Sequence, residues 1–167
     1  MTISMADTLM KQYRAPLEML RRAIDLCPDS LWYSTEYHNR FWHIAYHALF
    51  YTNLYLQPCE ADVVHWSKHR LNYNFLGALP FPPFEKPKIE TPYEKVDLLE
   101  CLEICRNAVT GRVPILDFEA PSGFDWIPLN KLELQLYNIR HLQHHTGQLA
   151  DRLRNAVGIG VPWVGTV

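Results

Sequence analysis

The sequence has little net charge and no long apolar run, and each absence excludes a class of protein. Its 16 Lys and Arg nearly balance 18 Asp and Glu, so the basic excess typical of nucleic-acid binders is missing. No uninterrupted apolar stretch is long enough to cross a bilayer. The first residues lack the charged and apolar regions of a secretory signal. We therefore expect a cytoplasmic protein that binds neither nucleic acid nor membrane.

The chain also lacks the cysteine spacing of a zinc finger or of a redox CxxC motif. We expect its four cysteines to be small buried residues in a reducing compartment: Cys27, Cys59, Cys101 and Cys105. An apolar fraction of 48% against 20% charged residues excludes a disordered chain. The length of 167 residues is that of one domain with a single core, which we place at residues 1–167.

Strand alternation is absent as well, whereas four segments carry the three- and four-residue apolar spacing of helices. We predict helices over residues 6–26, 39–56, 92–110 and 128–157. The second segment is apolar almost all round, so we expect it at the centre of the molecule. A long connection rich in Pro and aromatics separates the second and third helices; we expect it to pack down as a cap, with EADVVHWSKHR as a short helix. The predicted fold is an all-α four-helix bundle with a long crossover loop between helices two and three.

Capping residues indicate where these helices should begin and end. Thr91, Pro92 and Glu94 match the N-cap, first position and capping box of the third helix. Gly111 is the expected end of that helix, and Gly158 the expected end of the fourth. The segment CPDS is expected to end the first helix. The apolar tail GIGVPWVGTV should dock on the body.

Histidine is the residue that the sequence has in unusual number, with 8 in total and several in pairs. His141 and His145 are four residues apart in the last predicted helix, so they share one face a turn apart. His43 and His47 have the same spacing in the second helix. Buried neutral imidazoles need partners, and a metal ion between the two helices would supply one. Three imidazoles and a water form a standard open zinc site.

The residues alone also allow both pairs to be hydrogen-bonded core histidines without a metal. The last helix has one long apolar stripe: Leu132, Leu136, Ile139, Leu142, Leu149, Leu153 and Val157. A second stripe lies beside it, at the edge of the core or of a cleft: Leu134, Asn138, His141, His145, Gln148 and Arg152. His144 points away from this stripe, so we expect it to be exposed or to support the ligands from behind. We take His65 and His69, in the long connection, as surface residues, with a role as ligands as the alternative.

A resemblance to a known family is carried by two segments, FWHIAYHALFYTNLYL in the second helix and HLQHHTGQLADRLR in the last. They are similar to the DinB-like (YfiT-like) superfamily of four-helix bundles. In that family one histidine of the second helix and two of the last bind a divalent metal, which implies His141 and His145 as ligands here. Counting from the helix start favours His47 as the third ligand, and the fragment HIA favours His43. We choose His47, with His43 as the alternative beside it.

The resemblance further implies a metal-dependent hydrolase or a transferase that uses low-molecular-weight thiols, acting on a small molecule as a homodimer. Zinc is the expected ion, with nickel, iron or manganese as alternatives. Gly147 would allow close helix approach, and Gln148 could hydrogen-bond near the metal. The general base is not obvious; the candidates are Tyr46, Asn138, Gln148 and Glu36. Trp163 and the loop aromatics are expected to roof a pocket over the metal.

Two other functions stay open at the level of the sequence. The protein could be a bundle that holds a metal or a small ligand in a stress-related role, without turnover. It could also be a structural bundle that dimerises through apolar helix faces, with its histidines in the core. Metal content and saturation kinetics with a thiol distinguish these alternatives from an enzyme.

Overall fold

The computed structural model describes residues 4–165, and within them the chain is helical. Its five α-helices are α1 (Met5–Leu26), α2 (Asp29–Trp32), α3 (Phe41–Tyr55), α4 (Lys95–Arg112) and α5 (Lys131–Val157). Two 3-10 turns follow α3 and α4, at Glu60–Asp62 and Val113–Ile115. The described residues contain no strand beyond an isolated bridge in the loop before α5. The prediction of an all-α fold is therefore confirmed.

Helices α1 and α5 begin where a side chain accepts a backbone N–H of the first turn. Ser4 caps α1, and Asn130 caps α5 by accepting from the backbone N–H of Glu133 at 2.8 Å. The predicted start of α5 was therefore too early, because residues 128 and 129 lie in the loop before this cap. Gly158 ends α5 as predicted, in the left-handed conformation with a φ of 71°.

Helix α4 begins and ends later than the sequence predicted. Its N-cap is Glu94 rather than Thr91, and Asp97 completes the capping box by accepting from the Glu94 backbone N–H. Pro92 therefore lies before the helix. Gly111 lies inside α4 and not at its end, since the helix continues to Arg112. A glycine commonly ends a helix by adopting the left-handed conformation, and Gly111 keeps a helical backbone instead.

The segment expected to end α1 does so, but it leads directly into α2, which the sequence did not predict. Cys27 is the C-cap of α1, and the chain then forms one further helical turn. Trp32 in that turn is fully buried, and its Nε1 donates to the backbone carbonyl of Tyr93 at 3.0 Å. A helix of one turn carries no apolar period, so only tertiary packing could reveal it.

The four long helices share one main core. α3 contacts both α4 and α5, and α1 contacts the same two helices. Most side chains of α3 are buried, which confirms its predicted central place. The buried face of α5 differs from the prediction, because Leu136 is 56% exposed and Val157 is exposed as well. Asn138 and His145, predicted at the edge, are buried instead. The core side of α5 therefore carries polar groups beside α3.

Residues 56–94 connect α3 to α4 and form only part of the predicted cap. Trp66 and Tyr93 are buried in the main core, whereas Phe81 and Phe84 are exposed. The segment predicted as a short helix forms the 3-10 turn at Glu60–Asp62 and is otherwise non-helical. The connection passes back over α3, where the backbone carbonyls of Tyr73 and Asn74 are hydrogen-bonded to His43 and His47.

The tail beyond α5 docks on the body, as predicted, as far as the described residues reach; residues 166 and 167 lie outside them. Val161 and Val164 are buried and join the main core. Trp163 between them is 74% exposed and does not line the cleft beside His145, so the prediction that it roofs a pocket over the metal is wrong. Alternate residues of an extended tail point to opposite sides, and Trp163 falls on the solvent side.

The cysteines and the helix lengths can also be compared with the sequence-based expectations. Cys27, Cys101 and Cys105 are buried and unpaired, as expected, whereas Cys59 is half-buried. In the part of the chain that the structure describes, no helix combines the length and the apolarity needed to cross a lipid bilayer.

Candidate metal centre

Three histidine side chains from two helices meet at one point. His141 Nε2 lies 3.0 Å from His47 Nε2 and 3.2 Å from His145 Nε2. Over residues 4–165, these three form the one group of three or more His, Cys, Asp or Glu whose potential ligand atoms all lie within 4.8 Å. The structure thus brings together the three residues predicted as ligands, and their binding of a metal stays a prediction.

Helix packing explains why the three rings converge. α3 and α5 are in contact, and the four-residue spacing places His141 and His145 on the same face of α5. His47 approaches from α3, with its ring centroid 4.5 Å from that of His145 and 4.9 Å from that of His141. The rings lie at steep angles to one another rather than in a stack, so their Nε2 edges face a shared centre.

Hydrogen bonds at the outer nitrogens fix the tautomer of two of these rings. His47 Nδ1 lies 2.6 Å from the backbone carbonyl oxygen of Asn74, which can only accept. His145 Nδ1 lies 2.8 Å from Oε1 of Gln148, also an acceptor. A neutral imidazole carries one proton, so both rings hold it on Nδ1 and present an unprotonated Nε2 to the centre.

His141 lies between the other two and cannot satisfy them both. Its Nδ1 is buried without a hydrogen-bond partner, and one proton on Nε2 cannot make two good bonds to the facing lone pairs. A metal ion that accepts three lone pairs removes this conflict. Tetrahedral Zn–N bonds of about 2.0–2.1 Å place neighbouring nitrogens roughly 3.3 Å apart, close to the two separations observed. The donor set therefore fits a divalent metal.

Burial keeps the three imidazoles neutral. Burial, followed by the repulsion of His145, lowers the pKa of His47 from 6.5 to about 3. The same two causes lower the pKa of His141 to about 4. Burial also lowers the pKa of His145, although its hydrogen bond with Gln148 opposes the shift. Because neutral imidazole is the metal-binding form, the cluster needs to lose no proton at neutral pH.

His43 lies one turn before His47 on α3 but outside the cluster. Its Nε2 lies 2.8 Å from the backbone carbonyl oxygen of Tyr73, and its ring packs against Trp42 at 5.3 Å between centroids. Burial lowers the pKa of His43, so this side chain is also neutral. Consecutive carbonyls of the long connection thus hold the two α3 histidines in place, and the geometry favours His47 as the ligand.

The four residues considered as a general base occupy different environments. Of these four, Gln148 is hydrogen-bonded to a cluster histidine in the described structure, but its amide does not titrate and cannot act as a base. Asn138 is buried and donates to a backbone carbonyl of α3 at 3.1 Å. The Tyr46 hydroxyl is hydrogen-bonded to the long connection at 2.7 Å, and Glu36 is exposed. None of them places a base at the cluster.

The remaining predictions around the site have mixed outcomes. Gly147 is exposed, and a Cβ built there would meet no atom within 4 Å, so its predicted role in close helix approach is wrong. It lies on the solvent side of α5, between the buried positions Thr146 and Leu149. His144 is exposed, as predicted. His65 is exposed as well, but the half-buried His69 stacks on it at 4.4 Å between centroids.

Sequence reasoning missed two contributors to the site. The Asn74 carbonyl belongs to the backbone of an irregular loop, and no side-chain pattern reveals such a contact. Tyr51 packs its ring 4.8 Å from that of His47 and 5.5 Å from that of His141, and its hydroxyl accepts from Asn74 Nδ2 at 3.3 Å. Its position four residues after His47 was the available signal, because residues at that spacing share a helix face.

A cleft of about 610 Å³ opens beside His145. One wall is the exposed edge of α5, with Gln148, Asp151 and Arg152. Residues 37–39, before α3, and Leu76 of the long connection also line the cleft. The described lining includes none of the loop aromatics expected as a roof, so the cleft is open rather than capped.

The arrangement as a whole is a buried three-histidine cluster whose last member borders an open cleft. Such a cluster can hold one metal ion and leave a coordination position for water or a substrate. Comparison of the chain with protein-family models, curated proteins and solved structures gave no match.

Proposed function

We propose that this protein is a divalent-metal-dependent enzyme of the DinB-like superfamily, built as a four-helix bundle with a crossover loop. His47, His141 and His145 are its metal ligands. The observation that carries this proposal is the convergence of three Nε2 atoms, with separations of 3.0 and 3.2 Å, in a cluster where two outer nitrogens are already engaged.

Zinc is the ion that we propose first, with nickel, iron or manganese as alternatives for an all-imidazole site. When bound at three histidines, such a metal supplies an open position that acidifies a water or binds a thiolate.

The protein's own residues hold and orient the ligand set. The Asn74 carbonyl and Gln148 keep the protons of His47 and His145 on Nδ1. The Tyr51 ring packs against two members of the cluster, His47 and His141. Hydrogen bonds of this kind raise ligand basicity and restrict ring rotation, which strengthens metal binding.

Among the reactions that the resemblance implies, the site favours thiol transfer over hydrolysis. Hydrolysis benefits from a titratable base beside the metal, and within the described residues the cluster contains no carboxylate. A thiol needs no such base, since the metal itself favours the thiolate form. A small thiol in an intracellular compartment is therefore the proposed co-substrate, and a small electrophile its partner.

The same lack of a carboxylate supports a second candidate, a bundle that binds a metal or a small ligand without turnover. A homodimer also stays part of the proposal. Because α3 is buried within its own chain, a dimer would have to use another surface than the apolar face of α3.

The test is consumption of a thiol in the presence of a small electrophile by zinc-, nickel- or manganese-loaded protein. We expect a rate that saturates with the thiol concentration and that disappears in His145→Ala. A rate no faster than that of the metal salt alone, with the metal bound at full occupancy, would favour the non-catalytic candidate.

A further inference from the structure

Arg152 is a half-buried cation without an acidic partner. Its Nη1 donates to the backbone carbonyl of Asn39 at 2.8 Å, and its guanidinium carbon lies 4.1 Å from the ring centroid of Tyr37. No Asp or Glu among residues 4–165 lies within ion-pair distance of it. By contrast, Arg21 and Arg106 both pair with Glu18.

The position of Arg152 connects it to the histidine cluster. It follows His141, His145 and Gln148 on the same stripe of α5, and it lines the cleft that His145 borders. Seven residues separate Arg152 from His145, which is two helical turns, or about 10 Å along the axis. A small molecule in the cleft can therefore reach both groups at once.

We propose that this cleft binds the substrate and that Arg152 holds a carboxylate at the substrate's far end, while the reacting group faces the three histidines. This inference rests on the proposed function, and it adds a substrate class: a small molecule with a carboxylate at the end opposite its reacting group. Arg152 acts in binding and positioning, not in the chemical step.

The chemistry of the guanidinium supports a carboxylate. Stacking on Tyr37 holds the guanidinium in place. Its single hydrogen bond to Asn39 leaves most of its N–H groups free for bidentate hydrogen bonds to a carboxylate. Arg152 is half-buried, so its guanidinium has lost part of its water, and this burial lowers its pKa. A partly desolvated cation gains more from an anionic partner than an exposed one does.

The other charges at the cleft favour a single negative charge on the ligand. Lys86 lies against His38, a lining residue, with Nζ 3.0 Å from Nε2, and adds positive potential at that end. Asp151 also lines the cleft and opposes a ligand with two negative charges. A carboxylate therefore fits better than a phosphate.

The experiment uses the zinc-loaded full chain and a series of ω-mercaptoalkanoic acids of increasing length, titrated by calorimetry. In each of these acids, the thiol is expected to bind the metal and the carboxylate to bind Arg152. We expect the affinity to pass through an optimum at an intermediate length, and the methyl ester of the best acid to bind about tenfold more weakly or worse. Equal affinity of the ester and the acid in the unaltered protein would overturn the proposal, whatever the variants do.

Variants locate the effect on one residue. Arg152→Gln should weaken binding of the acid by about tenfold or more and leave the ester unchanged. Arg154→Gln is the matched control, since Arg154 is exposed on the same helix outside the cleft lining, and it should bind like the unaltered protein. An Arg152→Gln protein that binds the acid with full affinity would contradict the inference.

Two further ligands separate this inference from the proposed function. In metal-free protein, an alkanoate without a thiol should still cause shifts in protein NMR spectra that depend on Arg152. Absence of these shifts would count against the role of Arg152 alone, because this ligand does not need the metal. The phosphonate analogue of the best acid should bind more weakly than the acid. A phosphonate that binds as tightly or more tightly would overturn the assignment to carboxylates.

Discussion

At the scale of single residues, the site depends on which nitrogen of each imidazole holds the proton. His47 and His145 donate from Nδ1 to fixed acceptors, so their Nε2 lone pairs are available without a proton loss. The acceptors differ in kind, because one is a backbone carbonyl and the other is a side chain that can be replaced. Gln148 therefore allows the effect of ligand orientation to be measured without removing a ligand.

Replacing Gln148 with Leu should lower the affinity for zinc by about 10–100-fold, because His145 loses the acceptor that fixes its tautomer. Competition with a chromophoric chelator measures this change. Gln143→Leu is the control, since Gln143 is a half-buried residue of the same helix without a bond to the cluster. An unchanged zinc affinity in Gln148→Leu would show that this hydrogen bond does not support the site.

A second residue-scale prediction concerns the two histidines of α3. His47→Ala should lose the metal, because it removes one of three converging Nε2 atoms. His43→Ala should keep it, since His43 is directed to the Tyr73 carbonyl instead. Metal content after dialysis distinguishes the two variants. The reverse pattern would make His43 the ligand and contradict the assignment.

At the scale of the elements, caps and glycines control where the helices begin and end. Gly111 lies inside α4 with open space around its Cβ position, whereas Gly123 has a φ of +82°. A Cβ on Gly123 would clash with the Pro58 carbonyl oxygen, so the loop before α5 can approach the segment after α3 this closely only through a glycine.

The two glycines should therefore respond in opposite ways to alanine. Gly111→Ala should raise the free energy of unfolding by about 0.5–1 kcal/mol, because alanine is the better helix former. Gly123→Ala should lower it by about 1–3 kcal/mol or more, through backbone strain and a steric clash. Urea unfolding of the metal-free protein measures both changes. A stabilised Gly123→Ala protein would mean that the contact with Pro58 does not form.

Helix bodies were predictable from apolar spacing, and helix ends only in part. The pattern of a cap and an acidic residue three positions later occurs at Thr91 with Glu94 and again at Glu94 with Asp97, so the sequence allowed two starts for α4. Packing of Tyr93 into the core favours the later one. The single-turn helix α2 has no period to detect, and only burial of Trp32 explains it.

The site was predictable where it depends on helix periodicity and not where it depends on loops. Four-residue spacing placed His141 and His145 together, and contact between α3 and α5 brings His47 to them. The Asn74 carbonyl and the wall formed by residues 37–39 come from irregular segments. Their paths are set by tertiary contacts, which no local pattern records.

At the scale of the whole molecule, the buried neutral histidines make stability depend on pH. The pKa of His47 is lowered to about 3 and that of His141 to about 4, whereas both have a pKa near 6.5 in the unfolded chain. Between these values the unfolded state binds protons that the folded state does not. The stabilisation is therefore complete above pH 6.5 and is lost as the pH falls toward 4.

The metal-free protein should accordingly lose roughly 3 kcal/mol or more of its free energy of unfolding between pH 6.5 and pH 4. Urea unfolding at several pH values, with a chelator present, measures the loss. His47→Gln should show a smaller pH dependence, because it removes the most strongly shifted group. A free energy of unfolding that does not change over this range would mean that the rings are not buried as neutral groups.

The most direct test of the central claim is the metal content of protein purified without a histidine tag, by elemental mass spectrometry. We predict about one divalent ion per chain, removed by a chelator and restored by zinc. His145→Ala should bind none while its helical content stays the same. A native protein that carries no metal and takes up no zinc, nickel or manganese, or a His145→Ala protein at full occupancy, would contradict the account.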